Sequence, residues 1–140
     1  MLIHASSVVL DGKAVLLAGS PGSGKSDLAL RLIDEGGKLL SDDQTRLRCE
    51  GNVLIASPPP EIQGLIEIRH VGLAVVPFAA YAPVALYVDL VKSSEGLDRL
   101  PEPDFVFFLD QRVQRLTLPS FAASTPAKIR AALTFMFKGQ

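Results

Sequence analysis

Eight consecutive residues, Gly19, Ser20, Pro21, Gly22, Ser23, Gly24, Lys25 and Ser26, fit G-x-x-x-x-G-K-S without a gap. Glycines let the backbone curl so that successive N–H groups point inward at phosphate oxygens. A helix placed after such a loop turns the positive end of its dipole towards the same anion. Lys25 is then set to reach the β- and γ-phosphates of a nucleoside triphosphate, and the Ser26 hydroxyl to ligate Mg²⁺. The pattern spells a P-loop.

Binding a triphosphate does not by itself name a reaction. Asp42 and Asp43 add a second element. Neighbours on an extended chain point to opposite sides, so one carboxylate can attend a metal while the other faces an incoming hydroxyl. A carboxylate beside that hydroxyl accepts its proton in one direction and returns it in the other. An Asp-Asp pair also suits a solvated turn. Glu67 and Arg69 alternate on an otherwise apolar stretch and so share one face. That is either a solvated edge or a polar site, with Glu67 as a metal ligand and Arg69 as a phosphate clamp. His4 and Arg99 carry no local pattern of their own. The run 105–110, apolar residues ending in Asp110, looks like a second metal-binding strand, but core burial is the plainer expectation for it.

The elements that must position these residues are legible in outline. Residues 8–10 and 14–17 flank Asp11-Gly12-Lys13 and predict a hairpin whose second strand runs straight into the loop. Leu28, Ala29, Leu32 and Ile33 recur at helical spacing, and Gly36-Gly37 stops the helix. Residues 38–41 form a short strand ending at the aspartates. A second hairpin spans 45–49 and 53–56, and the prolines at 58–60 forbid regular structure. Further strands are expected at 65–68, 71–76, 85–90, 105–109 and 115–118, with a polar loop at 92–103. A final helix is capped by Ser124 or Thr125, with Ile129, Ala132, Leu133, Met136 and Phe137 on one stripe. The expected fold class is α/β, one strand-rich P-loop domain over 1–140 with about two helices.

Composition agrees with a folded domain. Hydrophobic residues make up 48% of 140 and charged residues 21%, which excludes general disorder. A net charge of -1 gives no reason to invoke a nucleic acid or an anionic membrane as partner. Cys49 stands alone, so no intramolecular disulfide forms, and with two histidines a zinc site is not expected. The start of the chain lacks the basic segment of a signal peptide, and no apolar run reaches the ~20 residues of a membrane span. The reading is a soluble, cytoplasmic chain.

Taken together, these motifs resemble the catalytic domain of HPr kinase/phosphorylase. The resemblance rests on His4, the P-loop, Ser41-Asp42-Asp43, the stretch Gly64-Leu65-Ile66-Glu67-Ile68-Arg69-His70-Val71-Gly72-Leu73, and Asp98-Arg99-Leu100. It implies a kinase that uses ATP and Mg²⁺ to phosphorylate a serine of the phosphocarrier HPr, and that removes the phosphoryl group with inorganic phosphate. It implies that residues 19–26 bind nucleotide, that Ser26 and Glu67 hold Mg²⁺, and that Asp42 or Asp43 is the base. His4 and Arg99 complete the site and Arg69 supports it. The implied fold is related to phosphoenolpyruvate carboxykinase, and the implied assembly is a hexamer. The family's N-terminal domain has no counterpart here, which suggests a short form. His70 replaces a glycine of the family's E-I-R-G. Ser120 to Thr125 replace the family's Gly-Arg-Asn segment, tied to the reverse reaction. The alternatives are a P-loop kinase of a small metabolite, usually marked by an arginine-rich helical lid, and a nucleotide-binding module without transfer activity.

Overall fold

The computed structural model describes residues 1–138. Strands form at Leu2–Ile3 (β1), Ser6–Leu10 (β2), Lys13–Ala18 (β3), Lys38–Ser41 (β4), Thr45–Glu50 (β5) and Val53–Ser57 (β6). Others follow at Leu65–Ile68 (β7), Gly72–Val75 (β8), Ala82–Val91 (β9), Asp104–Phe108 (β10) and Gln111–Pro119 (β11). The helices are Lys25–Asp34 (α1) and Thr125–Thr134 (α2). The architecture is mixed α/β and strand-rich.

Strand β9 is the hub of the main sheet. Its first residues pair antiparallel with β6, and its remainder runs parallel to β3 and to β11. β2 is antiparallel to both β3 and β4, so β4 runs in the direction of β3. The carboxyl ends of β3, β4, β9 and β11 therefore emerge on one edge of the sheet. Ligands of open α/β sheets bind outside that edge. β7 and β8 form a separate hairpin.

Alternation along β3 explains why it is central. Val15 and Leu17 face α1 and α2, packing with Leu28, Leu32, Val88 and Ile129. Ala14 and Leu16 face the other way, towards Leu40, Leu47 and Val113. A strand buried on both faces reads as a continuous apolar run, as 14–18 does. Each fully buried leucine contributes roughly 1.5–3 kcal/mol. The loop after β3 is thus anchored to the best-packed strand of the molecule. α1 ends as its glycines require, with Gly37 N–H donating to Leu32 O at 2.9 Å and Gly36 at φ +108°.

Several expectations change. The stripe expected through Met136 and Phe137 stops early, because α2 ends at Thr134 and Met136 is fully exposed. Ser124 occupies the N-cap position, but no side chain among the described residues makes the cap bond; Thr125 Oγ1 donates to Pro119 O instead. β10 is buried on one face: Phe108 joins the core with Val106 packed against it, as expected, whereas Phe105 and Phe107 are exposed because, among the described residues, β10 pairs with β11 alone. Asp110 sits in the β10–β11 turn. β11 is twice the expected length because it pairs with β9 as well as β10. A 3-10 turn, Pro60–Ile62, begins within the proline run. Among the described residues, no helix is long and apolar enough to cross a membrane.

Candidate functional site

The 19–26 loop connects the end of β3 to the start of α1. Gly24 is the N-cap of α1 in a left-handed conformation, φ +99°, which other residues adopt at a cost. A Cβ built there would lie 2.9 Å from Ser120 Cβ and Phe121 Cζ. At Gly19 it would lie 2.9 Å from the Leu90 carbonyl oxygen. Both glycines are therefore demanded by close approach. No side chain among the described residues caps α1, so its first N–H groups are directed at the cleft. Lys25 Nζ donates to Gly19 O at 3.0 Å, folded over the loop it belongs to. Arg31, on the next turn, donates to the carbonyls of Ser120 and of Ala122. That clip holds the chain after β11 against α1 and brings Phe121 to the site.

The two aspartates differ sharply. The Asp42 carboxylate is held by three donors from three elements. Its Oδ1 accepts from Ser26 Oγ at 2.8 Å and from Ser6 Oγ at 3.2 Å, and its Oδ2 accepts from Glu67 N–H at 3.1 Å. Asp43 turns away from it through a left-handed backbone, φ +65°, and is exposed. The pair sits in a bend after β4 rather than on an extended strand, so the divergence comes from the bend.

A cleft of about 610 Å³ brings most of the expected residues together, within the range of small-molecule sites. It is lined by 21–27, by Asp42, Asp43, Glu67, Ile68 and Arg69, and by Leu30 and Phe121. Lys25 and Arg69 face four carboxylates there: Asp27, Asp42, Asp43 and Glu67. Four carboxylates alone would repel a polyphosphate, whereas a polyphosphate with a divalent cation suits that balance. Mg²⁺ is characteristically held by one or two carboxylates together with phosphate oxygens. The Ser26 hydroxyl and Asp42 carboxylate, 2.8 Å apart with Glu67 in the same cleft, fit that donor set. Among the described residues there is no cluster of three or more His, Cys, Asp or Glu arranged to hold a metal by themselves.

Two expected residues lie elsewhere. His4 is exposed before β2 and does not line the cleft. Arg99 lines a different groove, between the 92–103 loop, β11 and Lys128 of α2. Tyr87 on β9 is also outside the cleft; burial, aided by Asp89 and opposed by Arg115, raises its phenol above the ordinary 10.0. Ser6 and Phe121 were not expected at the site. The one sequence sign of Ser6 is a hydroxyl pair, Ser6-Ser7, opening an apolar strand. Phe121 carries no such sign.

Fold and cleft define a strand-rich α/β domain of the kind carried by HPr kinases. Residues 1–138 match the family described as HPr Serine kinase C-terminal domain, and the chain belongs to that family. It is 32% identical over 129 residues to the HPr kinase/phosphorylase of Shouchella clausii, covering 84% of this chain and 41% of the relative. It is 37% identical over 128 residues to that of Caldanaerobacter subterraneus subsp. tengcongensis, covering 84% and 42%. The chain thus spans about two-fifths of the length of these relatives. Among solved structures, the Hpr(Ser) kinase/phosphatase from Coxiella burnetii superposes with a TM-score of 0.83 at 31% identity, covering 95% of this chain and 93% of that one.

Proposed function

We propose that this chain is an ATP-dependent protein kinase that phosphorylates a serine of an HPr-type phosphocarrier. In this reading 1–140 is one catalytic unit, the 19–26 loop is a P-loop, and the fold is of the phosphoenolpyruvate carboxykinase type. The observation that carries it is the contrast within the aspartate pair. Asp42 is engaged by Ser26, Ser6 and the Glu67 amide, while Asp43 stands exposed in the same cleft.

The roles follow from those surroundings. The 19–26 amides and Lys25 bind the β- and γ-phosphates of ATP, and Arg69 adds positive charge at the rim. Ser26, Asp42 and Glu67 would hold Mg²⁺, which when bound neutralises charge on the phosphates. Asp43 takes the proton from the acceptor serine. The serine oxygen bonds to the γ-phosphorus, the bond from that phosphorus to the β–γ bridging oxygen breaks, and ADP leaves with the electron pair. In reverse, with inorganic phosphate as attacking group, protonated Asp43 returns its proton to the departing serine oxygen and pyrophosphate forms. Arg99 joins the site in this scheme by movement of the 92–103 loop. His4 joins by a shift of the segment before β2. A hexameric assembly belongs to the same reading, and exposed Phe135, Met136 and Phe137 beyond α2 favour an oligomer.

Incubation with γ-labelled ATP, Mg²⁺ and an HPr-type carrier tests this reading. Label moves to the carrier with the wild-type chain and not with Lys25→Ala. Transfer undiminished by Lys25→Ala would remove the P-loop assignment.

A further inference from the structure

Four buried hydroxyls cluster beneath the bend at 42–43: Ser6, Ser7, Ser41 and Thr45, each with no exposed surface. Three of them bond among themselves or to nearby backbone. Ser7 Oγ and Thr45 Oγ1 lie 2.9 Å apart, Thr45 Oγ1 donates to Ala5 O at 2.8 Å, and Ser41 Oγ donates to Gln44 O. Those bonds serve the strands. Ser6 differs, because both of its bonds go to the aspartate pair. Its hydroxyl donates to Asp42 Oδ1 at 3.2 Å and accepts from Asp43 N–H at 3.0 Å.

A hydroxyl has one proton to give and lone pairs to receive. Ser6 uses both capacities on adjacent residues, from a strand 36 positions away in sequence. Donation fixes one oxygen of Asp42, the oxygen that also accepts from Ser26. Acceptance satisfies the Asp43 amide at a left-handed position, φ +65°, which aspartate tolerates better than most residues. The two bonds together set the angle between the carboxylates.

We infer that Ser6 is a positioning residue: its buried hydroxyl holds the Asp42–Asp43 bend, so that one carboxylate points to Ser26 and the other is free for the acceptor. This deepens the kinase reading and its catalytic part rests on it. The residue touches neither substrate nor phosphate and acts through the pair.

Two measurements test it, one of them independent of activity. In the wild-type chain, the Asp43 amide should exchange slowly with solvent although the residue is exposed, because its partner is buried. Exchange at the rate of an unprotected amide overturns the inference without any variant. The second measurement compares Ser6→Ala with Ser7→Ala, neighbours of equal burial on one strand. Ser6→Ala should lower kcat for carrier phosphorylation about ten- to a hundredfold, as misplacement of a reacting group does. The KM for ATP should rise by much less than kcat falls, because Asp42 keeps its Ser26 and Glu67 donors. Ser7→Ala should leave both constants unchanged. Equal losses in the two variants would make Ser6 a structural residue, and an unchanged kcat in Ser6→Ala would also overturn the inference. If wild-type protein binds nucleotide yet phosphorylates no carrier, the kinase reading fails, and Asp43 exchange alone decides whether Ser6 holds the bend.

Discussion

Ser26 Oγ donates a 2.8 Å hydrogen bond to Asp42 Oδ1, joining the first turn of α1 to the end of β4. The two residues are 16 apart in sequence, and the parallel course of β3 and β4 brings them to one sheet edge. The bond couples the 19–26 loop to the aspartate pair. Ser26→Ala should therefore weaken Mg²⁺-dependent nucleotide binding by about tenfold, in line with groups that orient metal ligands. Titration calorimetry with and without Mg²⁺ reads this. The loss should be absent when the metal is omitted.

The aspartates should separate by variant. Asp43→Asn keeps shape and removes the carboxylate proposed as base, so transfer should fall by about 10²–10⁴-fold with nucleotide affinity kept. Asp42→Asn replaces one carboxylate oxygen by an NH₂ group that cannot accept, so one side, the Ser26 and Ser6 hydroxyls or the Glu67 N–H, loses its acceptor, and the negative charge is lost. It should lower Mg²⁺-dependent affinity as well as transfer. Equal binding losses in both variants would contradict the division of roles.

Gly24→Ala should destabilise the fold. The new Cβ meets Ser120 and Phe121 at 2.9 Å on a backbone with φ +99°. Left-handed strain and overpacking together cost about 2–4 kcal/mol. Urea unfolding should show a lower midpoint, and nucleotide affinity should fall with it because the cap of α1 is displaced.

His70→Gly should do the opposite. His70 has φ +70° in the turn between β7 and β8, where Val71 N–H donates to Ile68 O at 2.9 Å. That geometry matches the third position of a type II turn, which favours glycine. Relief of the left-handed strain should raise stability by about 1 kcal/mol, seen as a higher urea midpoint at constant slope. Nucleotide affinity should not change, since His70 does not line the cleft.

Short-range features were legible in the sequence. The octet from Gly19 to Ser26, the Asp11-Gly12 turn and the Gly36-Gly37 stop are each set by neighbours, and the structure shows them where the residues require. Glu67 and Arg69 do line one cleft, but not as one strand face: β7 ends at Ile68, and Arg69 stands in the β7–β8 turn, whose position the alternation of the sequence did not reveal. What was not legible depends on distant partners. β11 extends to Gln111–Pro119 because β9 and β10 flank it. Phe107 is 65% exposed because β10 lies outside β11, a fact about sheet order that no local pattern carries. Ser6 reaches Asp42 across 36 residues, and its alternation alone would mark it only as a buried strand hydroxyl.

The central claim is transfer to a protein serine. The most direct measurement follows an HPr-type phosphocarrier by intact-mass and peptide spectrometry during incubation with the wild-type chain, ATP and Mg²⁺. The account predicts one phosphoryl group added to the carrier, stable in acid, on a serine, and at a rate lower by about a hundredfold or more with Asp43→Asn while nucleotide binding persists. An unmodified carrier in the presence of bound nucleotide, or a phosphoryl group added equally by Asp43→Asn, would contradict it.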